Sequence, residues 1–216
     1  METVTLEREA PRPRGKKKLY VSSMPKRESL QIIQKLQSLI GEINPEFIPY
    51  SISRLHMTIF HFGDPISVFN AIQQQTSSSI SFQKYQDMLP SLIQTYNVIT
   101  NKMESSTVTP LELDYFGKYA VLKVRAQQSF IRRREYFNVA TQVYLRHFGV
   151  YDTDSFCYYS KDLWTASRER YNPHITLGTI EQSSTDISQI TGISIPNIDI
   201  GMSRPYIVNE YKYEEG

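Results

Sequence analysis

The sequence has one cysteine, Cys157, in 216 residues. An internal disulfide is therefore impossible, and a reducing, intracellular setting is the simplest expectation. No apolar run approaches the roughly 20 residues that a membrane span requires. The N-terminus lacks the apolar stretch of a secretory leader, so no membrane association is expected, and the cytoplasm is the expected location, with the nucleus as the alternative. Charge of one sign is also missing: 24 Lys and Arg stand against 22 Asp and Glu, a net charge of +2. Attraction for an anionic partner must therefore come from local clustering. Histidines are few. There are four, and their placement is the most informative feature of the chain.

What is present fits one well-cored domain: 40% hydrophobic and 21% charged residues, near globular averages. Residues 1–16 combine acidic residues with Pro11, Pro13 and Gly15 and show no apolar period, so a flexible N-terminal arm is expected there. Residues 17–216 form the expected single domain. Arg12, Arg14 and Lys16 to Lys18 make a short basic cluster, either an RNA guide or nuclear address, or a solvated lead-in to the first strand.

Leu19 to Ser23 is an expected strand, closed by Pro25. Leu30, Ile32, Ile33, Leu36 and Leu39 recur at helical spacing over 28–39, with Gly41 as the stop. A strand is expected over 52–62, ending in the turn signal Gly63-Asp64-Pro65. Residues 66–107 do not divide cleanly, and Met88 to Ile99 suits helix or strand. Residues 111–115 and 119–124 flank Gly117 as a hairpin. Phe130 to Phe148 predicts an amphipathic helix, with Phe137, Ala140, Val143 and Tyr144 on one side and Gly149 ending it. Ile198 to Ile200 and Tyr206 to Val208 are candidate closing strands. Strands and helices mix without strict alternation, which argues for α+β.

Two histidines sit in the same local phrase: His56-Met57-Thr58-Ile59 and His174-Ile175-Thr176-Leu177. On a strand, residues two apart share a face, so each phrase places an imidazole and a hydroxyl about 6–7 Å apart on one side. Met57, Ile59, Ile175 and Leu177 are left for a core. Two such strands side by side would surround a phosphodiester with two imidazoles and two hydroxyls. One neutral imidazole can take a proton from the nucleophile, and one protonated imidazole can give a proton to the departing oxygen. The Thr hydroxyls can donate to the non-bridging oxygens. Neither phrase carries a second ligand at metal spacing, so neither metal nor cofactor is expected. His61, at odd offset from His56, belongs on the opposite face of an unbroken strand and reads as structural. His147, in the last turn of a helix, suits the helix dipole.

The doubled phrase resembles the signature of the 2H phosphoesterase superfamily, which includes RNA 2′,3′-cyclic phosphodiesterases and 2′-5′ phosphodiesterases. The layout is similar over roughly 17–210, with 66–107 poorly matched. The resemblance implies two pseudo-symmetric lobes of antiparallel sheet with helices packed outside and a cleft between them. It also implies His56 and His174 as the acid/base pair, and Thr58 and Thr176 as the phosphate holders. The implied partner is an RNA or nucleotide phosphodiester; separately, a monomer is expected. Trp164, Arg168, Arg170 and Tyr171 precede the second phrase. Tyr171 is the chosen candidate for stacking on a base, packing of the loop being the alternative. A non-catalytic nucleotide sensor and an RNA 3′-end exonuclease are the rival functions.

Overall fold

The computed structural model describes residues 18–76, 80–152, 156, 171–180 and 190–210. The expected arm, and Trp164, Arg168 and Arg170, lie outside these residues. Strand β1, Leu19–Ser23, leads through a 3₁₀ turn at Arg27–Ser29 into helix α1, Leu30–Ile43. The expected stop at Gly41 is overturned: the helix runs to Ile43, where the Asn44 N–H closes it on Ile40 O. Gly41 lies in the last turn close to the Phe47 ring, 4.0 Å from the place a Cβ would take. Short strand β2 spans Phe47–Pro49.

The strand expected from 52 begins later. Ile52–Arg54 form a 3₁₀ turn, and β3 is Met57–Gly63, so His56 stands at its threshold. The expected turn at Gly63-Asp64-Pro65 is a helix start. The Asp64 carboxylate accepts from the N–H groups of Ile66 and Ser67, and Pro65 occupies the first turn of α2, Pro65–Gln75. Helix α3, Phe82–Asn101, resolves the ambiguous stretch; Tyr85, Leu89, Leu92, Tyr96 and Thr100 form its buried face. The hairpin is as expected but longer: β4 is Ser106–Phe116 and β5 is Tyr119–Ala126, with Gly117 at φ 61°.

Helix α4, Gln128–Arg146, buries Phe130, Arg134, Phe137, Thr141, Tyr144 and Leu145. Val143, assigned above to the apolar side, is half exposed at 50%; the true stripe is rotated toward Arg134 and Thr141. Gly149 ends the helix at φ 82°, with the Val150 N–H returning to Leu145 O. Strand β6 is His174–Ile180, and β7, Ile200–Met202, and β8, Tyr206–Asn209, close the chain.

All the pairings are antiparallel, in the order β7-β4-β5-β6-β3-β1-β8, with β2 added beside β6. The fold is α+β, as expected. The lobes β8-β1-β3 and β6-β5-β4-β7 meet where Met57 faces Ile175, the one register pair between the two motif strands. Met57, Ile59, Phe60, Ile175 and Leu177 are all 1% exposed or less, so the inner face of this junction is core. Their apolar burial, at about 25 cal/mol per Å² removed from water, fixes which side of each motif strand is left for polar groups.

Each lobe's helix supports the other lobe's motif strand. Helix α1, which follows β1, sends Gln37 to β6, where its amide donates to Leu177 O at 2.8 Å. Helix α4, which follows β5, sends Arg134 to β3, where Nε donates to Ile59 O at 3.0 Å. Ile59 and Leu177 are each the third residue after their motif histidine. The exchange gives the chain a twofold relation that its side chains only partly follow.

Candidate active site

The pattern within the motif strands is broken at the same place in both. Along β3 the pairing with β1 runs Thr58 to Ser22, then Phe60 to Val21, then His61 to Tyr20, so one residue of β3 is skipped. Along β6 the pairing with β5 runs Thr176 to Val121, then Gly178 to Ala120, then Thr179 to Tyr119. An extra residue on one strand is a β-bulge, and it inverts the facing of everything beyond it. His61 is thereby turned to the side of His56 and Thr58, and all three line one cavity. The expectation that His61 faces away is overturned, because it held only for an unbroken strand. Its counterpart in the other lobe is Thr179.

The bulges leave carbonyls that the ladder does not use, and buried polar groups need partners. Arg134 and Gln37 meet those of Ile59 and Leu177. The Gln37 amide also donates to Tyr50 O at 2.9 Å, and the Tyr50 N–H shares Leu177 O at 2.8 Å. Gly178 permits this second arrangement: a Cβ there would lie 2.3 Å from Ile48 O and 2.5 Å from the Phe47 ring. β2 could not then lie against β6.

Both catalytic candidates are held in one way. His56 Nδ1 is 2.8 Å from Arg54 O, and His174 Nδ1 is 2.9 Å from Asn172 O. A carbonyl only accepts, so each Nδ1 carries hydrogen and donates. Nε2 is then the nitrogen whose protonation changes, and it is the same nitrogen in both rings. Antiparallel geometry about Met57 and Ile175 sets Thr58 toward His174 and Thr176 toward His56, so imidazoles and hydroxyls alternate around the junction. Both threonines are half-buried.

The rings are braced by different neighbours. Tyr20 lies against His56 with centroids 5.8 Å apart and stacks on His61 at 6.3 Å. Phe116 meets His174 edge-on at 4.8 Å. Burial, and secondarily the nearby charge of His56, pushes the His174 pKa below its usual 6.5 against the opposing pull of Asn172 O. The neutral ring is thus favoured at His174. Burial, with Lys18 adding to it, pushes His61 down to about 4, so it is uncharged near neutral pH.

Tyr171, expected to stack on a base, is engaged by the protein. Its hydroxyl donates to Thr58 O at 3.1 Å, and the Arg134 guanidinium lies 4.4 Å from its ring centroid. Desolvation raises its phenol pKa and keeps it a donor. The alternative weighed for this residue, packing the loop onto the body, is the one its contacts match. Its part in the site is to fix the backbone of Thr58.

Further residues complete the surroundings, and of these the sequence marks only Lys18, as the end of the basic cluster. Lys123 faces His174 across the β5–β6 ladder and is clamped by Glu112 at 2.9 Å and Asp114 at 2.5 Å. Lys18, Tyr20 and Glu210 border the cavity beside His56, about 370 Å³ in volume. Among the described residues, no three of His, Cys, Asp and Glu gather as metal ligands, and no helix is long and apolar enough to cross a membrane.

No family model and no curated protein matches the chain. Among solved structures, it is similar to TT0787 of Thermus thermophilus, with 12% identity over 88% of this chain and 84% of that one, TM-score 0.46. It is similar to a crystal structure described as a phosphoesterase, with 13% identity, 90% and 84% coverage and TM-score 0.41. It is also similar to E. coli LigT complexed with 3′-AMP, with 14% identity, 89% and 84% coverage and TM-score 0.42. With its doubled phrase and α+β layout, the chain resembles the 2H phosphoesterase superfamily.

Proposed function

We propose that the protein is a phosphodiesterase that hydrolyses nucleotide or RNA phosphodiesters, 2′,3′-cyclic phosphates or 2′-5′ linkages, by paired-histidine acid/base catalysis without a metal. The observation that carries this reading is the matched pair of imidazoles. Each is tethered through Nδ1 to the carbonyl two residues upstream, and each is paired diagonally with a threonine across one register point.

In the forward reaction on a cyclic phosphate, neutral His174 Nε2 takes a proton from water as the water oxygen bonds to phosphorus. Protonated His56 Nε2 donates its proton to the ribose oxygen as the P–O bond breaks. The Thr58 and Thr176 hydroxyls donate to the non-bridging oxygens, where negative charge grows. The products are a phosphomonoester and a free ribose hydroxyl, with His174 protonated and His56 neutral. Proton exchange with solvent restores the starting state. The assignment of base to His174 follows the downward direction of its pKa, since a base must be neutral before it acts.

The test is hydrolysis in EDTA of a 2′,3′-cyclic mononucleotide, an RNA ending in a cyclic phosphate, a 2′-5′ oligoadenylate and a 3′-5′ RNA. Turnover of a cyclic or 2′-5′ substrate, lost in folded His56→Ala and His174→Ala, is the expected result. Binding without turnover would favour a sensor on the same scaffold. Stepwise shortening of the 3′-5′ RNA would favour an exonuclease.

A further inference from the structure

The cavity beside His56 contains more than acid/base catalysis requires. Its wall is Lys18, Tyr20, His61 and Glu210, with His56 and Thr58 at the end next to the junction. Lys18 and Glu210 are fixed to each other across the β1–β8 edge: the Lys18 N–H donates to Glu210 Oε2 at 3.2 Å, and the Glu210 N–H donates to Lys18 O at 3.0 Å. These are main-chain contacts of Lys18; its ammonium lies near enough to His61, and the Glu210 carboxylate near enough to Tyr20, to shift the ionisation of those rings, so one cation and one carboxylate border the same cavity. Tyr20, paired with Val208 on β8 and His61 on β3, forms the flat part of the wall.

We propose that this cavity is a nucleobase subsite that selects guanine for the nucleoside on the His56 side of the reacting phosphate; the inference rests on the catalytic reading above. A second phosphate is a poor occupant, because Glu210 would repel it. A purely apolar group would strip water from Lys18 and Glu210 without replacing their hydrogen bonds. A base edge with donors and acceptors satisfies both.

Among the bases the carboxylate discriminates. Guanine offers two adjacent donors, N1–H and the N2 amino group, next to the O6 acceptor. Glu210 can accept from the donors while Lys18 donates to O6. Adenine and cytosine place a ring-nitrogen acceptor beside their amino group, and uracil flanks its single N–H with two carbonyls. Each would set a lone pair against the carboxylate. Tyr20 supplies a face for stacking, which any base can use, so discrimination falls to the Lys18–Glu210 pair. Neutral His61 adds no repulsive charge to the base and holds the Tyr20 ring by stacking.

The experiment has two readouts on the full chain. Calorimetric titration with 3′-GMP, 3′-AMP, 3′-CMP and 3′-UMP should show guanine bound about tenfold more tightly than the others, as one bidentate base contact gives. Glu210→Gln and Lys18→Met should each bring the four close together. Rates on the four 2′,3′-cyclic monophosphates should follow the same order. Wild type that binds all four bases alike, or binds none, overturns the proposal, as does a guanine preference that survives both substitutions. The two readings fail separately. Base-indifferent turnover that needs His56 removes the guanine subsite and leaves the phosphodiesterase. Guanine-selective binding without turnover does the reverse.

Discussion

The two lobes share a frame and differ in what they hang on it. In both, the motif histidine donates Nδ1–H to the carbonyl two residues back, the threonine follows two residues on, and a bulge comes next. In both, a helix from the opposite lobe caps the bulge carbonyl. Beyond that, the His56 end carries Lys18, Tyr20, His61 and Glu210 around a cavity, whereas at the His174 end Phe116 braces the ring and Lys123 is neutralised by two carboxylates. The shared part is what proton transfer needs. On the function proposed above, the unshared part is where one lobe would bind what the other cannot, so that a near-symmetric frame would hold its substrate in one direction.

If the frame is the catalytic unit, its hydroxyls should be equivalent. Thr58→Val and Thr176→Val should each lower kcat by about 100-fold with little change in fold, as for loss of one oxyanion donor. Steady-state kinetics on a cyclic nucleotide checks this, and a tenfold difference between the two would break the equivalence.

The helix caps should be unequal. Arg134 is 2% exposed and charged, and it holds both Ile59 O and the Tyr171 ring. Arg134→Met should cost about 3 kcal/mol in urea unfolding, within the range for breaking a buried charged contact. Gln37→Met removes a neutral donor and should cost about 1–2 kcal/mol.

Both lobes should lose stability in mild acid, because His61 and His174 are both held below their ordinary value, and His61, with the larger shift, should contribute more. The His61 pKa lies at about 4 when folded against 6.5 ordinarily, so the unfolded chain binds the proton more readily. Stability from this group is fully present above pH 6.5 and lost as pH falls from 6.5 toward 4, by roughly 1–3 kcal/mol. His61→Gln should reduce the pH dependence of the unfolding free energy over that window, leaving the part due to His174, while Thr179→Val should not change it. The smallest effect belongs to the His174 end: Asp114→Asn should change stability by less than about 1 kcal/mol, since the pair is open to solvent.

Much of this was legible in the residues, and one feature was legible but easy to pass over. The doubled His-x-Thr phrase located both motif strands, and apolar periodicity found α1, α4 and the hairpin. The slip in the strands is also written in the chain. Polar residues fall at 56, 58 and 61 and again at 174, 176 and 179, so the period of two breaks once in each phrase. Ile59-Phe60 and Leu177-Gly178 mark the break. Reading β3 as unbroken therefore sent His61 to the wrong face. Helix α3 was obscured by Pro90 and by polar residues between its buried positions. The cavity wall was out of reach, because Lys18 and Glu210 are 192 residues apart and only sheet closure through β8 brings them together. Tyr171 shows the remaining limit: its position beside the motif was visible, but whether its ring would stack on a base or pack against the body, where it meets Arg134, was a matter of tertiary packing.

The most direct test of the two-histidine account is a double-mutant cycle on single-turnover hydrolysis of a 2′,3′-cyclic nucleotide. His56→Ala and His174→Ala should each reduce the rate by about 10²–10⁴-fold, and the double variant should fall little below the slower single one, because the pair acts as a unit. A folded single variant near wild-type rate, or a double variant whose loss is the product of the two, would contradict it.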